Sequence, residues 1–166
     1  MTSPQDAWQS FFVAQVGAAA ALCGLVFVAV SISLQKILPS KHLRGRAMET
    51  LLVFFAVLTI ATCGLIPSQG ATALGLEIAT VGVLVAVTAA CRHLHAWRDR
   101  ELPADARRWL WLRAVGAQAS SLPFVVAGLL LVLGSERALV WLAPGVIAAF
   151  GVGALNAWVL LVEIQR

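Results

Sequence analysis

The sequence predicts an all-α, polytopic integral membrane protein with five transmembrane helices, the N-terminus outside and the C-terminus cytoplasmic. Composition, the spacing of apolar runs and the placement of basic charge carry this expectation. Of 166 residues, 60% are apolar and 12% charged, whereas soluble domains hold roughly 45–50% and 25%. That leaves too little polar surface for a water-soluble globule. Five or six crossings of about 20 residues each would use the whole length, so residues 1–166 are expected to form a single transmembrane helical domain.

Apolar runs bounded by charge or turn residues fall at about 11–34, 48–66, 71–91, 109–133 and 138–162. They are rich in Ala, Leu and Val and lack the alternation of barrel strands, and a helix satisfies its own backbone hydrogen bonds in lipid. The first run follows Asp6 rather than a basic segment and continues past Ala18-Ala19-Ala20-Ala21 to Leu34. It is too long for a signal-peptide core and is expected to be retained. The second follows Pro39-Ser40 and the fourth follows Pro103, residues that suit a helix start. The matching Leu38-Pro39 and Leu102-Pro103 hint at two hairpin repeats with a fifth helix appended. The third run follows a Ser68-Gln69-Gly70 turn, and the fifth follows Ser135-Glu136-Arg137.

Basic charge orients these spans. Lys36, Lys41, Arg44 and Arg46 lie between the first and second, and Arg92, Arg98, Arg100, Arg107 and Arg108 between the third and fourth; Arg113 and Arg166 share that side, and only Arg137 lies opposite. Short Lys/Arg-rich loops stay in the cytoplasm during insertion. The six tryptophans fit the same map: Trp8 and Trp141 near outer boundaries, Trp109, Trp111 and Trp158 near inner ones, and Trp97 in the inner loop, as an aromatic belt requires.

Polar residues within the spans are the candidates for function. Glu77 lies about 9 Å inside the outer end of the third span at ~1.5 Å per residue, and a charge near the bilayer centre costs on the order of 2.5–3.5 kcal/mol, less toward the interface. It shares a helical face with Thr80, Leu84 and Thr88. One reading makes it a proton or cation site joined by Gln15, Thr59 and Thr62; the plainer one makes it glue between helices. Gln118, Ser120 and Ser121 precede Pro123 in the fourth span, where a proline frees a backbone carbonyl and can kink the helix. Glu77, Gln15, Thr80, Gln118 and Ser121 form the candidate intramembrane polar site. Near the inner surface Arg113 is expected to pair with Glu163, with Asn156 on the same face of the fifth span. Lys41, Arg44, Arg46, Arg107 and Arg108 are placed to meet anionic lipid headgroups.

Small residues recur four apart: Gly17 and Ala21 or Ala20 and Gly24 in the first span, Gly82, Ala86 and Ala90 in the third, and Ala149, Gly153 and Ala157 in the fifth. Such rows permit close helix approach within the chain or between copies. His42, His93 and His95 all fall in the basic loops without converging ligands, so no metal and no cofactor are expected. Cys23, Cys63 and Cys91 lie in spans without CxxC spacing and are expected to be free thiols. No HExxH, GxSxG, Walker A or GxGxxG pattern occurs, so no enzyme is expected. Nucleic acid is not expected despite a pI of about 9.6, because the charge is split between two short loops.

The first span, from Phe11-Phe12-Val13-Ala14-Gln15 to Val28-Ala29-Val30-Ser31, resembles small uncharacterised bacterial membrane proteins, chiefly of actinobacterial type. Some members are labelled modulators of a membrane AAA protease. The proteins for which that label was coined have seven helices, so the resemblance carries over no activity and no site. The chain is expected to be a bacterial cytoplasmic-membrane protein, oligomeric, serving as a regulatory or scaffolding partner of other membrane proteins. A small oligomeric channel or transporter using Glu77 is the competing class.

Overall fold

The computed structural model describes residues 4–98 and 104–165, with side chains described for 7–40, 43–98, 110–160 and 162. Helix α1 runs Pro4–Ile32, a short α2 Leu34–Ile37, α3 Lys41–Gly64, α4 Ala71–Trp97 and α5 Ala104–Val132; a 3-10 turn, Ala138–Trp141, leads into α6, Leu142–Gln165. No strand occurs among the described residues. Five helices are long and apolar enough to cross a membrane, over Ala7–Ile32, Leu43–Gly64, Ala71–Trp97, Leu110–Val132 and Ala138–Leu160.

The helix ends depart from the apolar runs wherever backbone bonding, rather than hydrophobicity, ends a helix. α1 stops at Ile32: the Ser31 hydroxyl donates to the Phe27 carbonyl at 2.8 Å, a bond that bends helices, and Ser33 sits at φ −100°, ψ 13° before α2 begins. α3 starts ahead of its apolar run because Ser40, with extended backbone, caps it by accepting the Leu43 N–H at 3.4 Å. α4 continues past Cys91 to Trp97, which moves His93 and His95 from the expected loop onto a helix. α5 ends in a Schellman motif: Gly134 has φ +78°, its N–H donates to the Leu131 carbonyl at 3.1 Å, and the Ser135 N–H donates to Leu130 at 2.9 Å.

The chain divides into two compact units, residues 1–70 with 149–166 and residues 71–148. α6 is shared: its first turns belong to the second unit and the remainder to the first. In the first unit α1 packs on α3. Phe12 of α1 is fully buried and fills the space left by Gly64, where an added methyl would lie 2.6 Å from its ring. Phe54 of α3 seats likewise against Gly153 of α6, and its ring meets Phe150 edge-on with centroids 6.0 Å apart.

In the second unit α4 and α5 meet backbone to backbone. A methyl at Gly75 would lie 2.8 Å from the Gly128 carbonyl oxygen; one at Gly82, 2.9 Å from the Val125 nitrogen; one at Gly128, 2.5 Å from the Gly75 carbonyl oxygen. Only glycine permits this approach. Gly82 and Ala86 belong to a small-residue row visible in the sequence, and so does Gly75 with Ala71 and Ala79; Gly128 does not. Phe124 packs against Gly145 at the start of α6 in the same way.

Candidate functional site

α4 places Glu77 half-buried, with its Oε2 atom buried and without a hydrogen-bond partner. Its expected neighbours are otherwise engaged. The Thr80 hydroxyl donates to its own helix at the Leu76 carbonyl, 2.7 Å, and Thr88 donates to Leu84 at 2.8 Å and Val85 at 3.0 Å. Thr80, Leu84 and Thr88 are exposed, so this face of α4 points outward except at Glu77. Gln15 belongs to the first unit; its Oε1 is also buried without a partner. Thr59 and Thr62 donate to the Phe55 and Leu58 carbonyls, each at 2.8 Å. A threonine four residues beyond a carbonyl on a helix closes this bond locally, which spends these hydroxyls' protons and leaves them only as acceptors.

Gln118 and Ser121 come together on α5. The Gln118 side-chain amide reaches across to the Ala86 carbonyl of α4 at 3.3 Å. Ser121, fully buried, donates to the Ala117 carbonyl at 3.0 Å and lies 3.5 Å from Gln118 Oε1. Ser120 also donates to Ala117, at 2.8 Å. These bonds serve the turn before Pro123, through which α5 continues as a helix. Gln118 thus ties α4 to α5, a structural duty.

Of the basic-end residues, Arg113 is half-buried on α5 and Asn156 is buried on α6. The Glu163 side chain lies outside the described residues, and with it the expected ion pair. Among the headgroup candidates Arg44 is exposed and Arg46 half-buried; the side chains of Lys41, Arg107 and Arg108 lie outside the described residues.

Sequence reasoning missed Glu49. It is only 6% exposed, deeper than Glu77, beside the fully buried Thr50, whose hydroxyl donates to the Arg46 carbonyl at 2.9 Å. The readable signal was a carboxylate just inside the second apolar run. It also missed His93: Nδ1 lies 2.7 Å from the Ala89 carbonyl, and the ring lines a groove with Trp97 and Trp111, whose centroids are 6.5 Å apart. Among the described residues no three His, Cys, Asp or Glu side chains converge to hold a metal, and Cys23, Cys63 and Cys91 are free thiols.

No known protein family, no curated protein and no solved structure matches this chain. Fold and site therefore define a class only: an all-helical chain with five helices able to cross a membrane.

Proposed function

We propose that this chain is a multi-pass protein of the bacterial cytoplasmic membrane, with its N-terminus outside, that self-associates and acts as a regulatory or scaffolding partner of other membrane components. The observation that carries the reading is the exposure of α1. Only 11% of its most apolar stretch is buried, against 39–50% in the other four spans. A methyl added at Gly17 or Gly24 would meet nothing within 4 Å, so small residues that suit close helix packing stand unoccupied on its surface. Self-bonded hydroxyls on α3, α4 and α5 speak for the same role, since they leave few polar groups to conduct a solute. No enzymatic activity is part of the proposal.

The test is photo-crosslinking in cells from positions 17 and 24, set against Gly24→Leu. Crosslinks to the chain itself and to a defined membrane partner, both lost in Gly24→Leu, are expected. Adducts of lipid size alone would refute the reading.

A second reading, a small oligomeric channel or transporter, is favoured by one observation: the buried, unpartnered oxygens of Glu77 and Gln15, which are available to a proton or cation. Liposomes holding the purified protein would then pass protons or monovalent cations, and Glu77→Gln would stop the flux. Absence of flux in the wild type sinks this reading.

A further inference from the structure

Helices α4 and α5 touch backbone to backbone at Gly75, Gly82 and Gly128. Toward their basic ends a groove of about 610 Å³ opens between them. Alanines 90, 114 and 119 line it, with Trp97 and Trp111 at its basic end. Its volume falls in the roughly 300–1,000 Å³ range of small-molecule sites. Leu94, Val115 and Leu122 on its rim are exposed, so it opens sideways, in the direction of lipid.

Its length selects the occupant. The stretch of α5 that lines it, Trp111 to Leu122, rises about 16 Å at ~1.5 Å per residue, half of a hydrocarbon core of roughly 30 Å. The groove runs no further along α5 than Leu122, just before Gly82 closes on Val125, so it spans one leaflet. An acyl chain of one leaflet ends there too.

Its polar groups choose the head. A carbonyl can only accept, so His93 spends its Nδ1 proton on the Ala89 oxygen, 2.7 Å away. Arg98 is exposed just past Trp97. From Arg92 to Arg113 the sequence holds six arginines against Asp99, Glu101 and Asp105, a net positive stretch of chain.

We propose that this groove seats one anionic diacyl phospholipid: an acyl chain lies along Ala90, Ala114 and Ala119, the Trp97–Trp111 pair flanks the glycerol, and the phosphodiester meets Arg98. The inference requires membrane insertion but no protein partner, so it stands or falls separately from the scaffold reading.

The test is native mass spectrometry of the full-length protein titrated with palmitoyl-oleoyl phosphatidylglycerol or phosphatidylcholine. The wild type is expected to retain a single lipid saturably, with about a fivefold preference for the anionic head per cationic contact. Arg98→Gln lowers that preference and keeps the phosphatidylcholine adduct. Ala119→Leu, at an exposed position that tolerates bulk, and Ala114→Leu each remove both adducts, with circular dichroism and melting temperature reporting an intact fold. Adducts unchanged by either filling substitution, or no headgroup preference in the wild type, overturn the proposal. So does a Val115→Cys disulfide between copies in membranes, which would show the groove covered by a second chain.

Discussion

Gly128→Ala is the substitution whose consequence the geometry defines most sharply. The new methyl would stand 2.5 Å from the Gly75 carbonyl oxygen and also against the Ala79 nitrogen, both backbone atoms that no rotamer change can move. Reaching an ordinary carbon–oxygen separation of roughly 3.4 Å requires α4 and α5 to part by about 1 Å, the kind of overpacking that costs typically 1–3 kcal/mol. Separation at Gly128 also withdraws α5 from Gly82 and strains the Gln118 bond to Ala86, which is already long at 3.3 Å, so the upper part of that range is expected. The assay is reversible SDS unfolding in mixed micelles, followed by circular dichroism, with Gly24→Ala as the matched control. That position has nothing within 4 Å of an added methyl, and alanine there gains helix propensity, so a neutral or slightly stabilising effect of up to about 1 kcal/mol is expected. If Gly128→Ala unfolds at the same midpoint as Gly24→Ala, the backbone contact between α4 and α5 does not exist.

Three further outcomes test burial, a helix end and the proposed orientation. Glu77→Leu should raise stability in the same assay by about 1–3 kcal/mol, because it removes a buried oxygen that lacks a partner; a loss of stability would show the carboxyl to be bonded. Gly134→Ala should cost about 1 kcal/mol or more, since φ +78° strains any residue with a Cβ and the Schellman end of α5 depends on it; thermal melting in detergent reads this. Single cysteines at Ser68 and Ser135, in a background without Cys23, Cys63 and Cys91, should react with an impermeant maleimide from outside intact cells, while one at Gln35 should not; the reverse pattern would invert the proposed orientation.

Much of the helical layout was legible because hydrophobicity is local information. Glu77 could be given a depth by counting residues from the Ser68-Gln69-Gly70 turn. Whether its oxygen has a partner could not, because that depends on where neighbouring side chains point, and Thr80 turns back to the Leu76 carbonyl of its own helix. Glu49 was readable as a position and not as a burial: α3 begins just after Ser40, and only packing makes Glu49 an interior residue. His93 was hidden by a helix end. An apolar run stops at Cys91, but hydrogen bonding carries α4 on to Trp97, and six further residues of helix turn a loop histidine into a groove lining.

Glycine illustrates the remaining division. Gly82 stands in a row with Ala86 and Ala90, a pattern visible along one strip of sequence, whereas Gly128 has no small residue at four-residue spacing on α5, where Phe124 and Val132 flank it. Its meaning exists only opposite Gly75. The amino-acid sequence by itself determined five helices long and apolar enough to cross a membrane, bounded by arginines and turn residues, because transfer free energy sums over residues in order. Tertiary structure alone decided which glycines are contacts, which carboxylate is buried and where a groove opens, because those depend on pairing between residues far apart in the chain.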